Sequence, residues 1–301
     1  MTDNQNWDQK FHWLYGIEEY LRFENHPDFQ RFMKIIEAIL HGNNWAIRDL
    51  VLQEIERGNT PLSEQFVNTL MLYHLHDGLP ELEHRQMLQY VAHCIDDQFI
   101  RDVSSWSIKW GPRANLTDHF SRGQLQSKLW LVEELEKIIE NRNLGTVVMY
   151  GGWYATVAAI LFKRFKISKY YNLDMDESVI QIADEFNYRQ KVSQRFESMI
   201  SDVNQLSYDA DGKCTLPNGI TVKPTVVVNT SCEHMNEEWF YNLPDGQFVV
   251  LQTNNYFENP QHVNCVHSVD EALEKYKFSQ VLYSGEIDAM LYYRYMIIGI
   301  K

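Results

Sequence analysis

The sequence predicts an α/β fold in which a mostly parallel sheet ends in an antiparallel hairpin and follows an α-helical domain. Three observations predict it. Apolar residues recur at helical spacing up to about residue 118, short apolar runs then alternate with helical segments, and two long β-rich runs come last. Strands that alternate with helices form a parallel sheet covered on both faces, whereas two strands joined by a short link are antiparallel.

Residues 1–118 are predicted to form the α-helical N-terminal domain. Segments such as FQRFMKIIEAIL and LSEQFVNTLMLYHL show the helical spacing, and polar or glycine-containing turns separate them. The boundary falls in WSIKWGPRANLTD, where Gly, Pro and Asn follow the helical run. Residues 119–301 are predicted to form the second domain. We expect the first domain to serve as a lid or as a surface that binds a protein partner.

The second domain begins with an amphipathic helix, FSRGQLQSKLWLVEELEKIIE, which leads into the first strand, TVVMY. That strand stops at a glycine pair, where the absence of a Cβ lets the backbone turn tightly. The next elements are a helix to about Phe165, a strand at KYYNL, a helix from Ser178 to about Asn187, and a strand near Phe196 to Ile200.

The remaining elements are set by turn signals. DG and NG in residues 207–223 predict a hairpin before the buried strand PTVVVNT. A helix near Asn236 to Tyr241 and the strand QFVVLQTN follow. Ser268 opens a capping box for a helix through Tyr276. Two antiparallel strands then flank a turn predicted at 285–288.

Composition and charge exclude several classes of protein. The chain has 301 residues and no run near the roughly 18 apolar residues of a membrane span, and its polar start is unlike a signal peptide. We therefore expect a soluble, cytoplasmic protein. Its four cysteines have no CxxC spacing, which argues against a disulfide framework. The net charge of −14 disfavours nucleic acid as the main partner.

The motif order after about residue 116 resembles that of the class I S-adenosylmethionine (SAM)-dependent methyltransferases. The matching segments, in order, are YGGWYAT, NLDMDESVIQIA, ISDVNQL, VVVNTSCEHM and DGQFVVLQTNNYF. The resemblance implies a Rossmann-like sheet of seven strands, SAM as cofactor, and a small-molecule substrate. It also implies the residues that hold the cofactor: Tyr150, Gly151, Gly152, Trp153, Asp174, Met175, Asp202 and Val203.

Two departures from the family pattern affect the methionine end of the cofactor. Met149 stands where the family has an acidic residue, and Trp153 and Ala155 stand at its second and third glycines. Another group could bind the methionine amino group, the cofactor could lie differently, or the pocket could have lost SAM. Two alternatives therefore stay open: an aminobutyl transferase resembling nicotianamine synthase, and a non-catalytic scaffold that binds a partner.

Methyl transfer requires an aligned nucleophile and, for some acceptors, a base, because the sulfonium carbon is already activated. Asn229, Glu233 and His234 follow a buried strand, at the sheet edge where such folds bind ligands, and are the candidate catalytic residues. A histidine, with an ordinary pKa of about 6.5, suits the base. The candidate substrate-binding residues are the basic Arg113, Arg122 and Lys128, unless they form a solvated face.

The sequence predicts no metal site. His262, Cys265 and His267 are close in the chain, and Cys232 with His234 could join them. Their spacing fits no zinc pattern, however, and in a strand Cys265 and His267 would face one side while His262 faced the other.

Overall fold

The computed structural model describes residues 105–106, 109–110, 114, 119, 122–289 and 291–301. The predicted helical domain, its role and its boundary lie almost wholly outside these residues. The description below concerns the compact unit Gln126–Lys301 and the first turn of the helix that leads into it. No helix in the described ranges has the length and apolar character needed to cross a membrane.

Six helices and nine strands make up this part of the chain. The helices are α1 (Arg122–Ile138), α2 (Thr156–Arg164), α3 (Glu177–Phe186), α4 (Tyr188–Val192), α5 (Glu238–Tyr241) and α6 (Val269–Lys275). The strands are β1 (Asn143–Tyr150), β2 (Lys166–Asp174), β3 (Phe196–Ile200), β4 (Cys214–Thr215), β5 (Thr221–Val222), β6 (Val226–Asn229), β7 (Phe248–Asn254), β8 (Gln280–Asp288) and β9 (Tyr293–Ile300). Two 3-10 turns span Val203–Gln205 and Cys232–His234.

One sheet contains seven of the strands, in the order β3-β2-β1-β6-β7-β9-β8. Strands β1, β2, β3, β6 and β7 are parallel, whereas β9 runs antiparallel to both β7 and β8. Strands β4 and β5 form the predicted small hairpin apart from this sheet. A parallel sheet with an antiparallel β9 inserted before its edge is the fold of the class I SAM-dependent methyltransferases, so the sheet of the predicted fold class is confirmed.

Strand β1 shows why its sequence forms a central strand. Its last four residues are apolar and buried without interruption. Val148 and Tyr150 pack into the core on one face of the sheet, and Val147 and Met149 pack into the core on the other. A strand covered on both faces has no polar side to present to water, which explains the continuous apolar run.

The C-terminal hairpin is antiparallel as predicted, but its predicted turn at 285–288 is wrong. Strand β8 continues to Asp288, and Gly285 pairs with Met296 within the ladder. A Cβ at Gly285 would lie 2.5 Å from the Tyr283 hydroxyl oxygen. The glycine therefore makes room for a neighbouring side chain on an edge strand and does not break the strand.

The predicted cap of α6 is also present. The Ser268 side chain accepts a hydrogen bond from the backbone N–H of Glu271 at 3.1 Å. The Glu271 carboxylate in turn accepts one from the backbone N–H of His267 at 2.7 Å. The two bonds satisfy donors that a helix start leaves unpaired, which fixes where α6 begins.

Candidate functional site

The carboxyl ends of β1 and β6 meet where the strand order of the sheet reverses. The chain proceeds from β1 through β2 and β3 on one side and from β6 to β7 on the other. Doubly wound sheets bind ligands in the crevice outside this point. The Ser231 hydroxyl donates a hydrogen bond to the Gly151 carbonyl oxygen at 2.9 Å. This bond ties the loop after β1 to the loop after β6.

The turn after β1 has three residues in the left-handed backbone conformation, at every second position. Their φ angles are +59° at Gly151, +49° at Trp153 and +55° at Ala155. These are the three positions at which the family carries glycine. The left-handed conformation is therefore present at all three positions, although Trp153 and Ala155 carry side chains. A residue with a Cβ costs roughly 1–2 kcal/mol in this conformation, so Trp153 and Ala155 are strained.

The strain at Ala155 can be measured against a matched position. Ala158, in α2, is also fully buried but has a helical backbone. Each alanine-to-glycine change removes one buried methyl group, and only the change at Ala155 relieves strain. We expect the Ala155→Gly protein to have a free energy of unfolding about 1–2 kcal/mol higher than the Ala158→Gly protein, measured by urea denaturation. Equal values for the two proteins would show that Ala155 is unstrained.

Gly152 lies against the buried side chain of Asn172. A Cβ at Gly152 would lie 1.8 Å from the Asn172 Oδ1 atom and 2.8 Å from Met149 Cγ. The Asn172 amide nitrogen donates to the Trp153 carbonyl at 3.3 Å and to the Ser198 hydroxyl at 3.4 Å. Asn172 thus packs against the turn at Gly152 and holds it by a hydrogen bond at Trp153. Asn172 was not predicted as a site residue. The signal that could have indicated it is a single amide within the otherwise apolar end of KYYNL.

Asp174 ends β2 directly beside the same turn. Its Oδ2 atom accepts a hydrogen bond from the backbone N–H of Trp153 at 2.8 Å, and its Oδ1 atom accepts one from that of Asp176 at 3.0 Å. Burial raises the pKa of Asp174, and these backbone bonds only partly offset the effect. A carboxylate has about four acceptor positions, more than these two bonds occupy, so Asp174 can still accept from a ligand.

The other predicted cofactor residues differ in exposure. The Tyr150 side chain is fully buried in the core, so only its main chain is available to a ligand. Met175, next to Asp174, is 70% exposed, whereas Val203 is buried. The half-buried Asp202 caps a 3-10 turn by accepting from a backbone N–H at 3.0 Å. Their assignment to the cofactor stays a prediction.

The loop after β6 contains a buried ion pair. The Glu233 Oε1 atom lies 2.7 Å from the Arg294 Nη1 atom of β9, and both side chains are 4% exposed. The Asn254 amide of β7 donates to the same oxygen at 2.8 Å, and Arg294 also donates to the Thr230 carbonyl. Burial acts to lower the pKa of Arg294, but the Glu233 carboxylate outweighs it and raises that pKa. Arg294 and Asn254 were not predicted as site residues.

Two histidines lie beside this ion pair. The rings of His234 and His262 make an edge-to-face contact with centroids 4.6 Å apart. Glu233, His234 and His262 each offer one potential ligand atom, and these atoms lie within 4.8 Å of one another. Burial lowers the pKa of His262, although the charge of Glu233 acts in the opposite direction. The lowered pKa favours the neutral ring. His234 is exposed.

Asn229, the third predicted catalytic residue, shapes the loop. Its Oδ1 atom accepts a hydrogen bond from the backbone N–H of Ser231 at 2.9 Å, and its amide nitrogen lies 3.2 Å from the sulfur of Met235. Both contacts stay within the loop after β6. They shape the loop that carries Glu233 and His234.

The predicted substrate-binding residues are only partly described. Lys128, in α1, is 7% exposed. The main chain of Arg122 lies at the start of α1, but its side chain and the whole of Arg113 lie outside the described residues. Their contact with a substrate stays a prediction.

Comparison with solved structures gives proteins of similar fold at low sequence identity. The magnesium protoporphyrin IX methyltransferase of Synechocystis PCC 6803, with bound SAM, is 14% identical over 75% of this chain and 99% of its own, at a TM-score of 0.44. Geranyl diphosphate C-methyltransferase of Streptomyces coelicolor A3(2) is 12% identical over 63% and 82%, at 0.43. The [4+2]-cyclase SpnF is 10% identical over 59% and 82%, at 0.45. No protein-family model and no curated protein matches the chain.

Proposed function

We propose that this protein binds S-adenosylmethionine at the carboxyl edge of its sheet and transfers the methyl group to a small molecule. The observation that carries the proposal is the carboxylate of Asp174, held beside the left-handed turn after β1 by two backbone N–H groups. A rigid carboxylate at the end of the second strand can accept hydrogen bonds from both hydroxyl groups of a ribose. We propose that Gly151, Gly152 and Trp153 line the same pocket.

The experiment is calorimetric titration of the full chain with SAM. We expect the wild-type protein to bind one SAM, and the Asp174→Ala variant to bind it about 1.5–3 kcal/mol more weakly, the scale of hydrogen bonds to a charged group. The exposed Asp176, which caps α3 by accepting from the Ser178 N–H at 2.8 Å, gives a matched control. Asp176→Ala should lower helix stability by about 1 kcal/mol and leave SAM affinity unchanged.

An Asp174→Asn variant separates the ligand contact from the support of the turn. Asparagine keeps one oxygen that can accept from the Trp153 N–H, but it lacks the charge. We therefore expect weakened SAM binding in a protein whose unfolding temperature is close to that of the wild type. If Asp174→Ala and Asp174→Asn both bind SAM as the wild type does, Asp174 does not contact the cofactor.

The methionine end of the pocket favours a second candidate reaction, transfer of the aminobutyl group. The Met149 side chain is buried against the turn, so the position that is acidic in the family offers no charge to the methionine amino group. Product analysis distinguishes the reactions, because methyl transfer releases S-adenosylhomocysteine and aminobutyl transfer releases methylthioadenosine. We expect S-adenosylhomocysteine. If neither product is detected, the non-catalytic scaffold function is the remaining candidate.

The acceptor is proposed to approach the loop after β6. The exposed His234 lies there and can contact an acceptor, whereas Glu233 is committed through Oε1 to Arg294. We propose that Glu233 and Asn229 position His234 and do not themselves remove a proton. A partner for the N-terminal helical domain and a cytoplasmic location stay predictions of the sequence.

A further inference from the structure

We propose that Glu233, His234 and His262 bind a divalent transition-metal ion of the zinc class, a site distinct from the cofactor pocket proposed above. Two imidazoles and one carboxylate are the ligands that Zn²⁺, Mn²⁺ and Fe²⁺ share, and a set of three leaves further coordination positions open. The sequence argued against a metal because a strand would separate His262 from its neighbours. Residues 255–267 form a loop instead.

The loop that carries His262 is fixed beside the loop that carries His234. The backbone N–H groups of Val263 and Asn264 donate to the main-chain carbonyl of Glu233 at 2.8 Å and 3.0 Å. The His234 Nδ1 atom lies 3.2 Å from the Gln261 carbonyl. These three contacts place ligands from distant parts of the chain within 4.8 Å of one another.

Both histidines have a hydrogen bond that selects the tautomer a metal needs. The Nδ1 atom of His262 lies 2.9 Å from the Tyr256 carbonyl, and that of His234 faces the Gln261 carbonyl. A carbonyl oxygen only accepts, so each Nδ1 carries the proton and each Nε2 keeps its lone pair. Metal-binding histidines are commonly oriented in this way. The His262 Nε2 accepts from the Asn259 amide at 3.2 Å, which an ion would displace.

The carboxylate supplies a second, independent observation. Glu233 is buried, and its Oε1 atom is bound by Arg294 and Asn254. Its Oε2 atom is buried and has no hydrogen-bond partner. A buried anionic oxygen without a partner carries a desolvation cost that a bound cation removes.

The distances and charges of the site are compatible with an ion. Zinc–nitrogen bonds of about 2.0–2.1 Å require ligand atoms roughly 3–3.5 Å apart, so the ligands would move together by about 1 Å. His234 is exposed, so a small shift of its loop can bring its Nε2 atom closer while the Gln261 contact is kept. The positive charge of Arg294 repels the ion, but the Glu233 carboxylate already neutralises it. An anionic or hydroxyl ligand at the open coordination positions would balance the positive charge that the ion adds. With the ion bound, His234 is a metal ligand, so the acceptor contact proposed for His234 above applies to the metal-free protein.

The test is titration of the chelator-treated full chain with Zn²⁺, without SAM, together with Co²⁺ binding followed by visible absorption. We expect saturable binding of one ion by this site and d–d bands typical of fewer than six ligands. His262→Ala should weaken binding about 10- to 100-fold or more, since even second-shell changes have effects of that size. His234→Ala should do the same without unfolding, because His234 is exposed.

His267→Ala is the matched control, since His267 is exposed, lies close in the chain to His262, stacks on Phe257 at 4.4 Å and is not one of the three grouped ligands. It should bind Zn²⁺ and Co²⁺ as the wild type does. Absence of saturable binding up to about 1 mM, or equal affinity in His262→Ala, His234→Ala and the wild type, would overturn the proposal. Because SAM is absent from these titrations, a failure here leaves the proposed cofactor site standing.

Discussion

Replacing Arg294 by methionine should lower the free energy of unfolding by about 3–5 kcal/mol, the cost of removing one partner from a buried ion pair. The Glu233 carboxylate would remain 4% exposed without its counter-charge, and the Thr230 carbonyl would lose its donor. Methionine keeps much of the length and volume of the arginine side chain, so most of the loss comes from charge. Urea denaturation followed by circular dichroism measures the change.

The control is an ion pair on the surface. Lys213 pairs with Asp211 at 3.1 Å, and their side chains are 46% and 74% exposed. Lys213→Met should change the free energy of unfolding by less than about 1 kcal/mol. A further variant, Glu233→Gln with Arg294→Met, should lose less than the sum of its two single changes, because it removes both buried charges together. An Arg294→Met protein as stable as Lys213→Met would show that the pair is not buried.

Replacing Gly152 by alanine should destabilise the protein by about 3 kcal/mol and abolish SAM binding. The added Cβ would lie 1.8 Å from a side-chain atom of Asn172, so the turn after β1 must shift. Overpacking of this kind typically costs 1–3 kcal/mol, and here it also displaces the backbone that forms the proposed pocket. Thermal unfolding and calorimetric titration with SAM measure the two effects.

Gly219 separates steric overlap from backbone strain. Its φ angle is +83°, and a Cβ there would have no atom within 4 Å, whereas Gly152 has no positive φ. Gly219→Ala should therefore cost only the roughly 1–2 kcal/mol of the left-handed conformation and leave SAM binding intact. Adding Asn172→Ala to Gly152→Ala should restore part of the stability, because it removes the overlap with the Asn172 side chain. Recovery should be incomplete, because the Met149 contact at 2.8 Å remains. Wild-type SAM affinity in Gly152→Ala would contradict the proposed position of the pocket.

Local sequence patterns were sufficient to predict most of the sheet. The apolar runs of β1 and β6 are buried on both faces, and such runs are recognisable without any knowledge of their neighbours. The short link between β8 and β9 likewise indicated their antiparallel pairing. The turn was wrongly predicted at Gly285 because a glycine within a strand can make room for a neighbouring side chain, and the sequence does not distinguish this from a bend.

The contacts of the candidate site depended on features that the sequence does not display. Glu233 and Arg294 are 61 residues apart in the chain and meet only because β9 lies next to β7 in the sheet. His262 reaches His234 through a loop whose backbone bonds to Glu233 have no sequence signature. The left-handed conformation at Trp153 could not be inferred either, since this backbone normally requires glycine.

The most direct test of the proposed cofactor site is a crystal structure of the full chain with S-adenosylhomocysteine. The proposal predicts a nucleoside in the crevice between β1 and β6, with both ribose hydroxyl groups within about 2.5–3.0 Å of the Asp174 carboxylate oxygens. The homocysteine end should lie against the left-handed turn at Gly151–Ala155. A nucleoside bound elsewhere, or crystals grown at saturating ligand with none bound, would contradict the assignment of this fold to SAM chemistry in this protein.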